Sequence, residues 1–183
     1  LLARIFAVGW LYDLAFYAYA LIPVAFYVAL VPERWWCSAA NRWWVRGCAF
    51  ATLYGLGFVA VAEFLFWDEF QARFNFIAVD YLVYRREVAD NIQESYPLAV
   101  LLTGILVVTL LVERWLWPRF ARSLRSAPSA SWRHRLAMLG LLLVPAVLAY
   151  AGLDQELREL SPNAYAVELA GDGPYQFIAA FRN

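Results

Sequence analysis

The chain has 183 residues, of which 63% are hydrophobic and only 16% charged, with nine Trp and a mean hydropathy of +0.54. A water-soluble domain of this length carries roughly 25% charged residues, so composition excludes that class and places the chain in a bilayer. Fifteen Arg balance fifteen Asp and Glu, and no stretch joins dense Arg to base-stacking aromatics, which leaves nucleic-acid binding without support.

The first apolar stretch predicts a membrane span over about Leu14 to Val31, stopped by Pro32. Residues 1 to 12 read either as an interfacial helix or as an outer extension of that span. The opening Leu1-Leu2-Ala3-Arg4 has no charged head or cleavage site of a signal peptide, and its lack of Met leads us to expect residues upstream. Asp13 reads in two ways: a cap at the outer end of the span, or an ion-pair partner for an Arg of a later segment.

A second span is predicted from about Val45 to Phe66, with Gly55 and Gly57 allowing close helix approach and Glu63 one turn inside the outer end. Glu63 shares the ion-pair role considered for Asp13. Cys37 and Cys48 lie eleven positions apart without accompanying His or further Cys, so neither a disulfide nor a metal site is expected.

Residues 67 to 96 join the second and third spans. Phe70, Phe74, Ile77, Tyr81, Tyr84 and Val88 recur in steps of four and three, while Glu69, Arg73, Asp80 and Glu87 fall mostly elsewhere. Such spacing predicts an amphipathic helix lying flat in the membrane interface. It reads as a structural brace, and also as a lipid-headgroup site. In the second reading Arg73, Arg85 and Arg86 pair with phosphate, and Trp67, Tyr81 and Tyr84 pack on glycerol and acyl carbons.

The third span is predicted from Pro97 to Trp117, with Glu113 and Arg114 as snorkelling residues at its inner end. The fourth runs from about Leu136 to Ala151. Pro23 and Pro145 fall within spans, where neighbouring helices can satisfy the backbone. His134 is the only His and sits in the link before the fourth span, so no His-based triad or metal cluster can be built around it. The sequence offers no complete active site, and no metal-ligating set.

Orientation follows from the distribution of Arg. The link between the first two spans holds Arg34, Arg42 and Arg46; that between the last two holds Arg119, Arg122, Arg125, Arg133 and Arg135, with Glu33 the one acid against them. Residues 67 to 96 carry three Arg but Asp68, Glu69, Asp80, Glu87, Asp90 and Glu94. The Arg-rich links are therefore expected in the cytoplasm, with residues 67–96 and the C-terminal segment outside. The expected architecture is an all-α polytopic bundle: a transmembrane domain over residues 1–151, with an outer interfacial helix, then an extracytoplasmic lead-in over residues 152–183.

Particular wording adds a resemblance. Phe66-Trp67-Asp68-Glu69-Phe70, then Arg73-Phe74-Asn75-Phe76-Ile77-Ala78-Val79-Asp80-Tyr81-Leu82-Val83-Tyr84, then Asn91-Ile92-Gln93-Glu94-Ser95-Tyr96-Pro97, resembles the membrane domain of lipoteichoic-acid-synthase-like phosphoglycerol transferases. Asn163 to Tyr175 and Ala179 to Asn183 are similar to that family's lead-in to its outer, sulfatase-like domain, and Tyr12-Asp13-Leu14 adds a weaker match. The resemblance implies a bacterial cytoplasmic-membrane enzyme that moves glycerol phosphate from phosphatidylglycerol to an extracytoplasmic polymer or glucan. It implies a Thr nucleophile and a manganese or magnesium ion, both in an outer domain not included here, and a fifth span ahead of Leu1. This segment's share would be anchoring, orientation and donor access, with membrane lipids, the outer domain and other membrane subunits as partners. The alternative is a non-catalytic scaffold subunit of a larger membrane complex. A transporter is disfavoured, because no paired broken helices or internal repeat stand out.

Overall fold

The structure, a computed structural model, describes residues 1–75, 78, 95–125 and 131–180. Among these the chain is all-helical. In chain order the helices are α1 (Leu2–Leu30), α2 (Glu33–Trp36), α3 (Ala39–Phe70), α4 (Leu98–Ser123), α5 (Trp132–Gly152), a 3-10 turn (Gln155–Arg158), α6 (Ala164–Ala170) and α7 (Gly173–Ala180).

Four of them, α1, α3, α4 and α5, are long and apolar enough to cross a membrane. No more than 17% of the most apolar window of any of the four is buried within the protein. Side chains such as Phe6, Phe64, Leu111 and Leu141 stand at 60% exposure or more. Apolar surface on that scale needs a cover other than water, and the arrangement is compatible with a multi-pass membrane protein. At 1.5 Å per residue the 29 residues of α1 and 32 of α3 extend about 44 and 48 Å. Both exceed the ~30 Å hydrocarbon core. Residues 2 to 12 are thus an extension of the first span, continuous with it.

Local chemistry sets the ends. Pro32 stops α1, because the residue before a proline is driven out of the helical region, and it leads directly into α2. Ser38 caps α3, its Oγ accepting the Asn41 N–H at 3.0 Å. The Asn41 side chain is itself buried and donates to the Trp36 carbonyl at 2.9 Å, closing the corner between α2 and α3.

At its far end α3 stops at Phe70, where Gln71 takes a left-handed conformation with φ of 53°. The Gln71 N–H reaches the Trp67 carbonyl at 2.8 Å, and its side-chain amide donates to the carbonyls of Trp67 and Asp68 at 3.2 and 3.3 Å. A glutamine therefore does what a glycine cap commonly does, its amide answering carbonyls that the helix end leaves open.

This break revises the predicted interfacial helix. Phe70 ends a span, and Phe74 lies beyond the turn in a non-helical stretch, so the two do not begin one continuous amphipathic helix. Residues 76, 77 and 79–94, which hold the remainder of that stripe, lie outside the described residues.

The chain divides into two units. One collects the described residues of Leu1–Ala29, Glu63–Arg85 and Trp132–Asn183; the other those of Leu30–Ala62 and Arg86–Ser131. In the first, α1 and α5 run antiparallel. Arg135 donates to the Val28 carbonyl at one end (2.6 and 3.1 Å), and Tyr12, Ala15, Ala149, Tyr175 and Ala179 form a core towards the other. The first turns of α1 carry α6: Ile5 packs on Ala166 and Ala170. In the second unit α3 and α4 approach so closely that a Cβ on Gly57 would stand 3.0 Å from Ile105 Cγ2.

A candidate functional site: the ion-paired seat of the C-terminal helices

The first unit gathers its polar side chains where the C-terminal segment meets the span ends. Arg73, just past the α3 turn, is the hub. Its Nη1 donates to Glu63 Oε1 at 2.6 Å, its Nε to the Glu168 carbonyl at 3.0 Å, and its backbone N–H to the Glu168 carboxylate at 2.9 Å. Glu63 lies two turns before the end of α3 and Glu168 in α6, so one arginine ties a span terminus to the tail. Arg158 supports the other side, with Nη1 2.6 Å from Gln176 Oε1 and 3.8 Å from Glu168 Oε1. Both partners of the Glu63–Arg73 pair are mostly withdrawn from solvent, which strengthens it relative to a surface pair.

Two tyrosines hold the tail from beneath. Tyr12 of α1, 2% exposed, donates through its hydroxyl to the Asp154 carbonyl at 2.5 Å. Tyr175 of α7 donates to the Leu153 carbonyl at 3.2 Å. Their rings meet at 4.9 Å and 41°, and Tyr19 stacks on Tyr175 at 6.4 Å. Each hydroxyl serves a carbonyl just beyond the end of α5, so aromatic burial and backbone satisfaction come from the same residues. Phe74 lies edge-on to Phe66 at 5.3 Å and meets Phe177 of α7 at 6.1 Å.

The tail helices are capped by their own sequence. Asn163 accepts the Tyr165 N–H at 3.0 Å to start α6, and Asp172 accepts the Tyr175 N–H at 3.1 Å to start α7. Asp172 is buried, and that burial pushes its carboxyl up to about 6; the nearby charges of Asp13 and Glu63 push the same way, opposed by the Tyr175 N–H and by Arg73. Gly173 opens α7 directly against Glu63, where any Cβ would land on the carboxylate. A side chain there would have to displace the carboxylate, so it is close approach and not backbone angle that favours glycine.

The predicted residues fall as follows. Glu63 and Arg73 are brought together. Asp13 is exposed and makes no ion pair among the described residues; it contributes through its charge on Asp172. Trp67 sits half-buried in the last turn of α3, its carbonyl engaged by Gln71. Tyr81, Tyr84, Arg85 and Arg86 lie outside the described residues. Glu113 differs from expectation. It is buried in the second unit and bound by Arg46, Nε to Oε1 at 2.8 Å and Nη2 to Oε2 at 3.4 Å, so it does not snorkel. The turns of α4 before it are apolar on every side, which hid which way it faces. Arg158, Glu168, Asp172 and Gln176 were not singled out as contacts, because a tail 95 residues from Arg73 gives no local signal of meeting it.

Chemically the arrangement is a latch. Among the described residues no three His, Cys, Asp or Glu side chains are grouped to hold a metal ion, and no nucleophile is paired with a base, so no catalytic step is assigned to it. Cys37 and Cys48 are exposed free thiols. These features define a helical chain with four potential spans and a docked C-terminal segment. Comparison with protein-family models, curated proteins and solved structures finds no match to this chain.

Proposed function

We propose that the chain is the membrane domain of a phosphoglycerol transferase, anchoring and orienting an extracytoplasmic sulfatase-like domain that transfers glycerol phosphate from phosphatidylglycerol to a polymer or glucan. The reading rests on the resemblance, strongest in residues 62–97 and 163–183, together with four potential spans and the Arg distribution. The observation that carries it furthest is the seat of α6 and α7. Residues 153–180 are fixed to span ends through Tyr12, Tyr175 and the Glu63–Arg73–Glu168 contacts, as a lead-in must be if it is to set the pose of a following domain. Arg73 has its guanidinium committed inside the protein, which favours a bracing role for it over a headgroup contact. In this reading the metal and the nucleophile belong to the outer domain, and the bacterial cytoplasmic membrane is the location.

The test is transfer of labelled glycerol phosphate from phosphatidylglycerol by the native gene product in membranes, with and without added manganese or magnesium. Metal-dependent transfer by that product, and none by the 183-residue segment alone, is the expected result. A native polypeptide of about the 21.0 kDa of this segment, without transfer, would replace the reading with that of a scaffold subunit in a larger membrane complex.

A further inference from the structure

The second unit holds a polar cleft that the latch does not use. It occupies about 490 Å³ and is lined by Arg42, Trp43 and Arg46 of α3, by Trp117 and Ala121 of α4, and by Arg125 just beyond α4. The Arg46 guanidinium lies 5.5 Å from the ring centres of both Trp43 and Trp117. It is also the partner of buried Glu113, so its charge is balanced. Arg42 donates to the Cys37 carbonyl at 2.8 Å, and neither Arg42 nor Arg125 has a carboxylate partner among the described residues. The corner at α2 closes one side through Trp36 Nε1 and Cys37 Sγ, each 3.5 Å from a carbonyl, of Ser123 and Arg125 respectively. From residue 114 to residue 135 the sequence contains no acid at all.

Three guanidiniums facing one cleft repel one another, and one carboxylate neutralises only one of them. A planar guanidinium pairs best with a phosphate or carboxylate oxygen pair. Trp rings beside Arg mark the headgroup level of a bilayer, and basic pockets between membrane helices on the Arg-rich side suit phospholipid headgroups. We propose that this cleft binds the phosphate of an anionic phospholipid, with Arg42 and Arg125 as its direct ligands and the Trp43 and Trp117 rings flanking the glycerol. By the Arg distribution the lipid belongs to the cytoplasmic leaflet. The site is separate from the latch and from the headgroup role considered for Arg73, Arg85 and Arg86.

The experiment is native mass spectrometry of the full chain released from nanodiscs of phosphatidylglycerol or phosphatidylcholine, with inorganic phosphate as a competing arm. The wild type should retain phosphatidylglycerol in preference to phosphatidylcholine, and Arg42→Gln with Arg125→Gln should lower that retention by about fivefold per arginine. The pair Arg119→Gln and Arg122→Gln removes equal charge from the end of α4, outside the cleft, and should change retention little. Arg46 is left intact so that Glu113 keeps its partner, and an unchanged melting temperature verifies the fold. Equal retention of the two lipids by the wild type, or equal losses in the two double variants, would overturn the site. Displacement of the lipid by millimolar inorganic phosphate would overturn the lipid assignment in favour of a soluble phosphate.

Discussion

Single residues carry the tail's attachment, and charge decides which of them matter most. In the second unit Glu113 has 7% of its side chain exposed against 39% for Arg46. The two substitutions are therefore unequal. Arg46→Ala leaves a buried carboxylate without its cation and should cost about 3 kcal/mol, whereas Glu113→Gln keeps a neutral hydrogen-bonding group and should cost about 1 kcal/mol. Thermal unfolding in detergent should rank them in that order. Asp172 makes the pH prediction. Its carboxyl titrates near 6 when folded and near 3.8 when free, so the folded tail holds more protons between those values. Stability from this group is complete below about pH 4, declines as pH rises to 6, and is flat above, a change of about 2–3 kcal/mol. Asn caps as well as Asp, so Asp172→Asn should abolish this part of the pH dependence. Hydrogen exchange of residues 163–180 at pH 4 and pH 7, wild type against variant, measures it.

Helices meet where their termini have been prepared for contact. At Gly173, the first residue of α7, the Glu63 carboxylate occupies the space a side chain would take. Gly173→Ala should push Glu63 off Arg73 and loosen α6 and α7 by about 1–3 kcal/mol, visible as faster proteolysis after Gly152 with the four long helices intact. The turn at Gln71 has the same kind of role. It ends α3 so that Arg73 and Phe74 turn towards the tail, Arg73 to Glu168 and Phe74 to Phe177. Phe74→Asp would bring a carboxylate among Phe66 and Phe177 and lose about 3–5 kcal/mol of packing in addition. The tail should then be released, an outcome the same proteolysis reads.

For the whole molecule the distribution of Arg predicts a topology that can be probed directly. In a Cys37→Ala, Cys48→Ala background, single cysteines at Ser126 and Ser95 should label from opposite sides, Ser126 from the cytoplasm and Ser95 from outside. Labelling of both from one side would refute four spans with alternating links. If the nucleophile and the metal belong to an outer domain, as the proposed function has it, the purified 183-residue chain should release no glycerol phosphate from phosphatidylglycerol, and metal-dependent release by it would overturn that assignment.

Four apolar runs determined four long helices, since a bilayer demands internally hydrogen-bonded segments of about 20 residues and the sequence supplies them. Their approximate places were legible, and so was Glu63 as a residue too costly to leave unpaired near a span end. Local pattern failed where a partner was distant. Periodicity carried a helix through Phe70 and Phe74, but spacing has no term for a turn at Gln71 stabilised by the side chain's own amide. The spans are apolar nearly all round, so nothing in their order told that Glu113 faces Arg46 or that Tyr12 lies beneath the tail. Hydrophobicity fixes that a segment is helical and membrane-length. Which of its faces meets protein is settled only when buried carboxylates, guanidiniums and free carbonyls find one another across the fold, and that selection exists only in three dimensions.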